Sequence, residues 1–105
     1  MVPVKAGVDP ALRIAHLLRI NSYLDIAINA MWTANPRVDT MIGMAEASLR
    51  GKSPGGEDEE VLAKVRDLVR EGRAYLAGGD LSVALGRMRV AQDIVSLHLI
   101  RLSDG

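Results

Sequence analysis

A chain of 105 residues with thirteen basic and thirteen acidic side chains has room for one core, and it carries no global field to recruit nucleic acid or an anionic membrane. The absence of cysteine removes disulfides, thiolate metal sites and cysteine catalysis together, and suits an intracellular protein. Apolar residues make up 49% of the chain, yet Tyr23, Trp32 and Tyr75 are its only aromatics, so the core must be built from aliphatic side chains and Met.

The start, Met1 to Gly7, lacks the continuous apolar stretch of a signal peptide, and a cytoplasmic location is expected. Asp9-Pro10 is a helix start signal, with Asp as N-cap and Pro at the first helical position. The helical pattern then runs to about Thr33. Its apolar length carries Arg13, His16, Arg19 and Asp25, which argues against a membrane span. Leu17, Ile20, Leu24, Ala27, Ile28 and Met31 form one face, and Leu12, Ala15, Tyr23, Ile26 and Ala30 spread apolar surface round much of the remainder. A helix apolar over so wide an arc is expected to be covered on more than one side. The reading is a homo-oligomer, with a dimer favoured, or a helical protein partner. Leu17, Leu24, Ile28, Met31 and Trp32 are the candidate contacts. Asn21 lies among Leu17, Leu24 and Ile28, where an amide in an apolar seam would set register or oligomeric state; the plainer role is a boundary amide bonded to water or backbone.

Asn35-Pro36 interrupts the helix, because the residue before proline is pushed out of the α region. A second helix is expected over 36–50, with Val38, Met41, Ile42, Ala45 and Leu49 on one side, followed by a loop over 51–56. Gly51-Lys52-Ser53 in that loop is not a phosphate loop: the required glycine five residues upstream is Glu46, and Pro54 follows where a helix should begin. The acidic run Glu57-Asp58-Glu59-Glu60 reads as the solvated start of a third helix over 57–77, its charge complementing the macrodipole. Gly78-Gly79-Asp80 ends that helix and caps a fourth over 81–102. So short a joint makes these two helices fold back on each other. Val61, Val65, Leu68, Gly72 and Leu76 form the stripe of the third helix, and Leu81, Leu85, Met88, Ala91, Val95 and Leu102 that of the fourth. Turning about Gly79 sets Leu68 near Val90, Val61 near Leu97, Glu71 near Arg87 and Gly72 opposite Gly86. Two mid-helix glycines at matched positions suggest a close crossing.

Chemistry is sparse. His16 and His98 have no second ligand at a familiar metal spacing, so no metal or cofactor is expected; His16 reads as a surface position and His98 as a boundary one. No base, nucleophile and oxyanion donor can be assembled from spacing, so catalysis is not expected. Arg66, Arg70 and Arg73 align on the third helix and Arg89 follows on the fourth; as a set they could grip nucleic-acid phosphate, although neighbouring carboxylates would neutralise much of their charge.

Tyr75-Leu76, Gly79-Asp80, Ala84-Leu85 and Ala91 give an aromatic–Leu, Gly-Asp, Ala, Ala pattern over the span from Val61 to Leu102. In this the hairpin resembles a small archaeal helical family known as domain of unknown function 357, a resemblance that implies a helical fold and no established activity. The reading is therefore an all-α, antiparallel four-helix bundle of two helical hairpins forming one domain over 1–105. It would act as a non-catalytic interaction or self-association module, or alternatively as a nucleic-acid accessory subunit.

Overall fold

A computed structural model of the chain describes residues 9–104. The signal-peptide reading of Met1 to Gly7 lies outside the described residues. Among those described there are four α-helices and no strand: α1 Pro10–Trp32, α2 Val38–Arg50, α3 Glu59–Ala77 and α4 Leu81–Asp104, with a 3₁₀ turn at Pro54–Gly56. The all-α class is as the patterning predicts. No helix among the described residues is long and apolar enough to cross a membrane.

Local chemistry sets the boundaries. Asp9 Oδ1 accepts the Ala11 N–H at 2.9 Å, and Pro10 occupies the first helical position of α1. Asn35-Pro36 separates α1 from α2, and Ala34 takes a φ of 54° on the way. At the hairpin joint, Gly79 has a φ of 85°, which glycine adopts without a Cβ penalty. Its N–H donates to the Leu76 carbonyl and that of Asp80 to the Tyr75 carbonyl, the paired bonds of a Schellman motif. Asp80 then caps α4 by accepting the Val83 N–H at 3.1 Å. Gly78 has a negative φ, so one glycine carries the turn.

Successive helices run antiparallel, as their side-chain partners show. Asp58 and Glu71 of the α3 arm meet His98 and Arg87 of α4; Asn21 and Asp25 of α1 meet Ser96 and Gln92; Glu46 and Leu49 of α2 meet Arg73 and Arg66. One contiguous core lies between the four helices, with Leu17, Ile20, Leu24, Ile42, Leu49, Leu62, Val65, Val69, Met88 and Val95 all but sealed from water. Each such aliphatic side chain contributes about 1.5–3 kcal/mol from burial. The inward stripe of α3 is rotated from that expected: Leu62 and Val69 are buried, while Leu68 and Leu76 are half-buried.

The predicted glycine crossing is half right. A Cβ on Gly72 would sit 3.0 Å from Cγ and Sδ of Met88 and 3.4 Å from the Ala84 carbonyl oxygen, so α3 does approach α4 closely there. Gly86 is not its partner. It is exposed, and a Cβ built on it meets nothing within 4 Å. The reason is rotational, since Ala84 and Met88 carry the inward face of α4 and leave Gly86 on the outside.

The two glycines therefore respond oppositely to alanine. Gly86→Ala is expected to stabilise the fold by about 0.5–1 kcal/mol through helix propensity. Gly72→Ala is expected to cost about 1 kcal/mol net, because overpacking of about 2 kcal/mol against Met88 exceeds the same propensity gain. Urea denaturation of the two variants measures both.

Candidate functional site

The strongest polar feature is one the sequence reading placed in solvent. Within the acidic run, helical geometry begins only at Glu59, so Asp58 precedes α3 and its side chain makes no capping bond. Its carboxylate turns inward instead and is 0% exposed, which corrects the expectation of a solvated helix start. Arg13, in the first turn of α1, donates from Nη2 to Oδ1 at 2.6 Å and from Nε to Oδ2 at 3.2 Å. Nε2 of His98, late in α4, lies 2.7 Å from Oδ1, and Arg13 Nη1 also reaches Glu57 at 3.2 Å. Three segments far apart in the chain thus meet on one carboxylate.

Burial pushes the Asp58 carboxyl up, but the hydrogen bonds and charges of Arg13 and His98 more than offset this and hold it below its ordinary value. The same bond raises Arg13. The Asp–His pairing has the outline of half a catalytic triad, yet among the described residues no hydroxyl is hydrogen-bonded to His98, and Arg13 occupies the other carboxylate oxygen. What this arrangement can do is hold α1, the α3 start and α4 together.

The candidate arginines are engaged. Arg66 donates to the Leu49 carbonyl at 2.7 Å and to Glu59 at 3.0 Å; Glu59 is held below the usual carboxylate range by Arg66 and by the Ser53 hydroxyl and N–H. Arg73 makes two bonds to Glu46, at 2.9 and 3.1 Å, and also contacts the backbone and carboxylate of Asp39. Arg70 pairs with Asp67, and Arg89 stacks over the Trp32 ring at 5.7 Å. Arg66 and Arg73 thereby stitch α2 to α3 where apolar packing is thin. A cleft of about 520 Å³ opens at the end of this seam, lined by Arg50, Lys52, Ser53 and Arg66, with Glu59 in its wall.

The candidate contacts on α1 divide. Leu17, Leu24 and Met31 are buried in the molecule's own core, because α2 and α4 between them cover that face. This corrects their assignment as partner contacts. Ile28 is half-buried against the core, and Trp32 stands 65% exposed at the end of the helix. Asn21 accepts a long hydrogen bond, 3.5 Å, from the Ser96 hydroxyl, so it is a boundary amide between α1 and α4.

A different apolar surface is open, on the outer side of the α3–α4 hairpin. Val61, Leu68 and Tyr75 recur at every seventh residue of α3, and Val83, Val90 and Leu97 do the same on α4. The register of the hairpin is fixed by Arg87, whose Nε lies 3.1 Å from Glu71 Oε1 (an ion-pair distance without hydrogen-bond alignment), and whose guanidinium lies over the Tyr75 ring at 5.8 Å. That register sets Val61 beside Leu97, Leu68 beside Val90 and Tyr75 beside Val83. Leu97 is 54% exposed and Val90 46%. Seven-residue periodicity carries the signal for this second row, but it lies beside the inward stripe and merges with it in sequence. No family model, curated protein or solved structure matches the chain.

The buried carboxylate has a pH signature. Because Asp58 is held below its ordinary carboxyl value in the folded state, its pairing adds stability above the unfolded-state value, and the contribution is lost as pH falls through the folded one. Urea titrations between pH 7 and pH 2 should show an acid loss of stability that Asp58→Asn reduces. At pH 7, Arg13→Ala is expected to destabilise by about 3–5 kcal/mol, since it strands a buried charge.

Proposed function

We propose that this protein is a non-catalytic helical association module whose binding surface is the outer face of the α3–α4 hairpin. The observation that carries the reading is the double apolar row with seven-residue spacing, centred on Leu68 and Val90, left partly in water by a bundle whose own core is complete. Heptad rows on two adjacent helices form a shallow groove that takes the apolar stripe of another helix. Most of the energy would come from Val90, Leu97 and Tyr75, the most exposed members of the rows, once a partner takes them out of water.

The alternative, a nucleic-acid accessory subunit, draws less support. Arg66, Arg70 and Arg73 are each committed to a carboxylate, and Arg89 to Trp32, so phosphate would have to displace existing ion pairs. Among the described residues the groove offers a single aromatic ring, Tyr75, and Arg87 already lies over it, whereas base stacking uses several open rings.

The test uses a synthetic helix of three leucine heptads, titrated into the isotope-labelled protein. Saturable NMR shift changes are expected at Leu68, Val90, Ile94 and Leu97, and Val90→Lys is expected to weaken binding at least tenfold. Changes confined to α1 and α2, or none at all, would overturn this assignment.

A further inference from the structure

We infer that the partner seated on the hairpin's outer face is a second copy of this chain, related by a two-fold axis that crosses the face at the Leu68–Val90 pair and runs perpendicular to the helices. The inference rests on the association reading above and names its partner. An axis so placed lays α3 antiparallel on α3 of the second copy, and α4 on α4. Leu68 then meets Leu68 and Val90 meets Val90. Seven residues to either side, Val61 meets Tyr75, and Val83 meets Leu97. Every apolar row position finds an apolar counterpart, which follows from rows symmetric about their centres on both helices.

Charge complementarity points to the same occupant. Lys64 has no ion-pair partner among the described residues of its own chain, and both it and Glu71 are exposed on the outer flank of α3. The two-fold operation brings Lys64 of each copy beside Glu71 of the other, forming two equivalent pairs. Glu71 pairs with its own Arg87 at 3.1 Å and still keeps 48% of its side chain in water.

Size sets the strength. The rows extend about 21 Å along each helix and about 18 Å across the pair, or about 400 Å² per copy. The total of about 800 Å² lies below the about 1,200 Å² of a stable specific interface, so the pairing is reversible and concentration-dependent, in the micromolar range or weaker.

The chain contains no cysteine, so single introduced thiols report distance cleanly. With a short bis-maleimide at about 0.5 mM protein, Val90→Cys is expected to cross-link to itself. Val83→Cys and Leu97→Cys should each give little dimer alone and an efficient cross-link when mixed. Sedimentation should show self-association weakened at least tenfold by Lys64→Glu, a surface change that leaves the helical circular dichroism intact. Monomers at 0.5 mM, or self-association in which Val83→Cys cross-links to itself instead of to Leu97→Cys, would overturn the inference. Binding of the leucine-heptad helix under those outcomes would leave the association surface standing and remove only the second copy as its occupant.

Discussion

A single carboxylate, sealed from water at the base of the bundle, fixes how the pieces of this protein meet. An aliphatic core is tolerant: Leu, Ile, Val and Met gain nearly the same energy from any register that keeps them dry. Asp58 is not tolerant. Its charge is acceptable in the interior only where Arg13 grips both oxygens and His98 closes on one of them. Arg13 belongs to the first turn of α1 and His98 to the last third of α4, so that satisfaction defines the relative positions of three segments. A slip of one helical turn in either helix would leave the carboxylate unpaired at a cost of several kcal/mol.

The opposite side of the molecule is held differently. Between α2 and α3 apolar packing thins, and the seam is closed by Arg66 reaching to the Leu49 carbonyl and Arg73 to Glu46. Such half-exposed pairs contribute modestly, on the order of 0–1 kcal/mol each. Their larger consequence is that the guanidinium groups are committed. Aliphatic side chains also stand partly in water on the outer face of the α3–α4 hairpin, where Val90 and Leu97 are about half exposed.

Much of the framework was legible in the chain. Asp9-Pro10, Asn35-Pro36 and Gly79-Asp80 announce helix boundaries through local chemistry, and all three act as read. The pairing of Glu71 with Arg87 followed from the turn alone, because a three-residue joint fixes register. The candidate site was far less legible. Asp58 looked like one of four equivalent acids at a helix start, and only the late onset of α3 separates it from Glu59 and Glu60. Its partners lie 45 and 40 residues away, with nothing in the sequence linking them. Leu17, Leu24 and Met31 were assigned to a partner because an apolar arc does not say which part of it the molecule keeps for itself.

Sequence alone thus determined the helices, their caps, the hairpin register and the aliphatic character of the core, since these depend on interactions within a few residues or across one short turn. The tertiary structure decided which glycine is crowded, which acid is buried and which apolar row stays wet. Those outcomes turn on the rotation of each helix about its axis. That rotation is set jointly by all the neighbours a helix packs against, and a shift of one residue, about 100°, is enough to exchange a core position for a surface one.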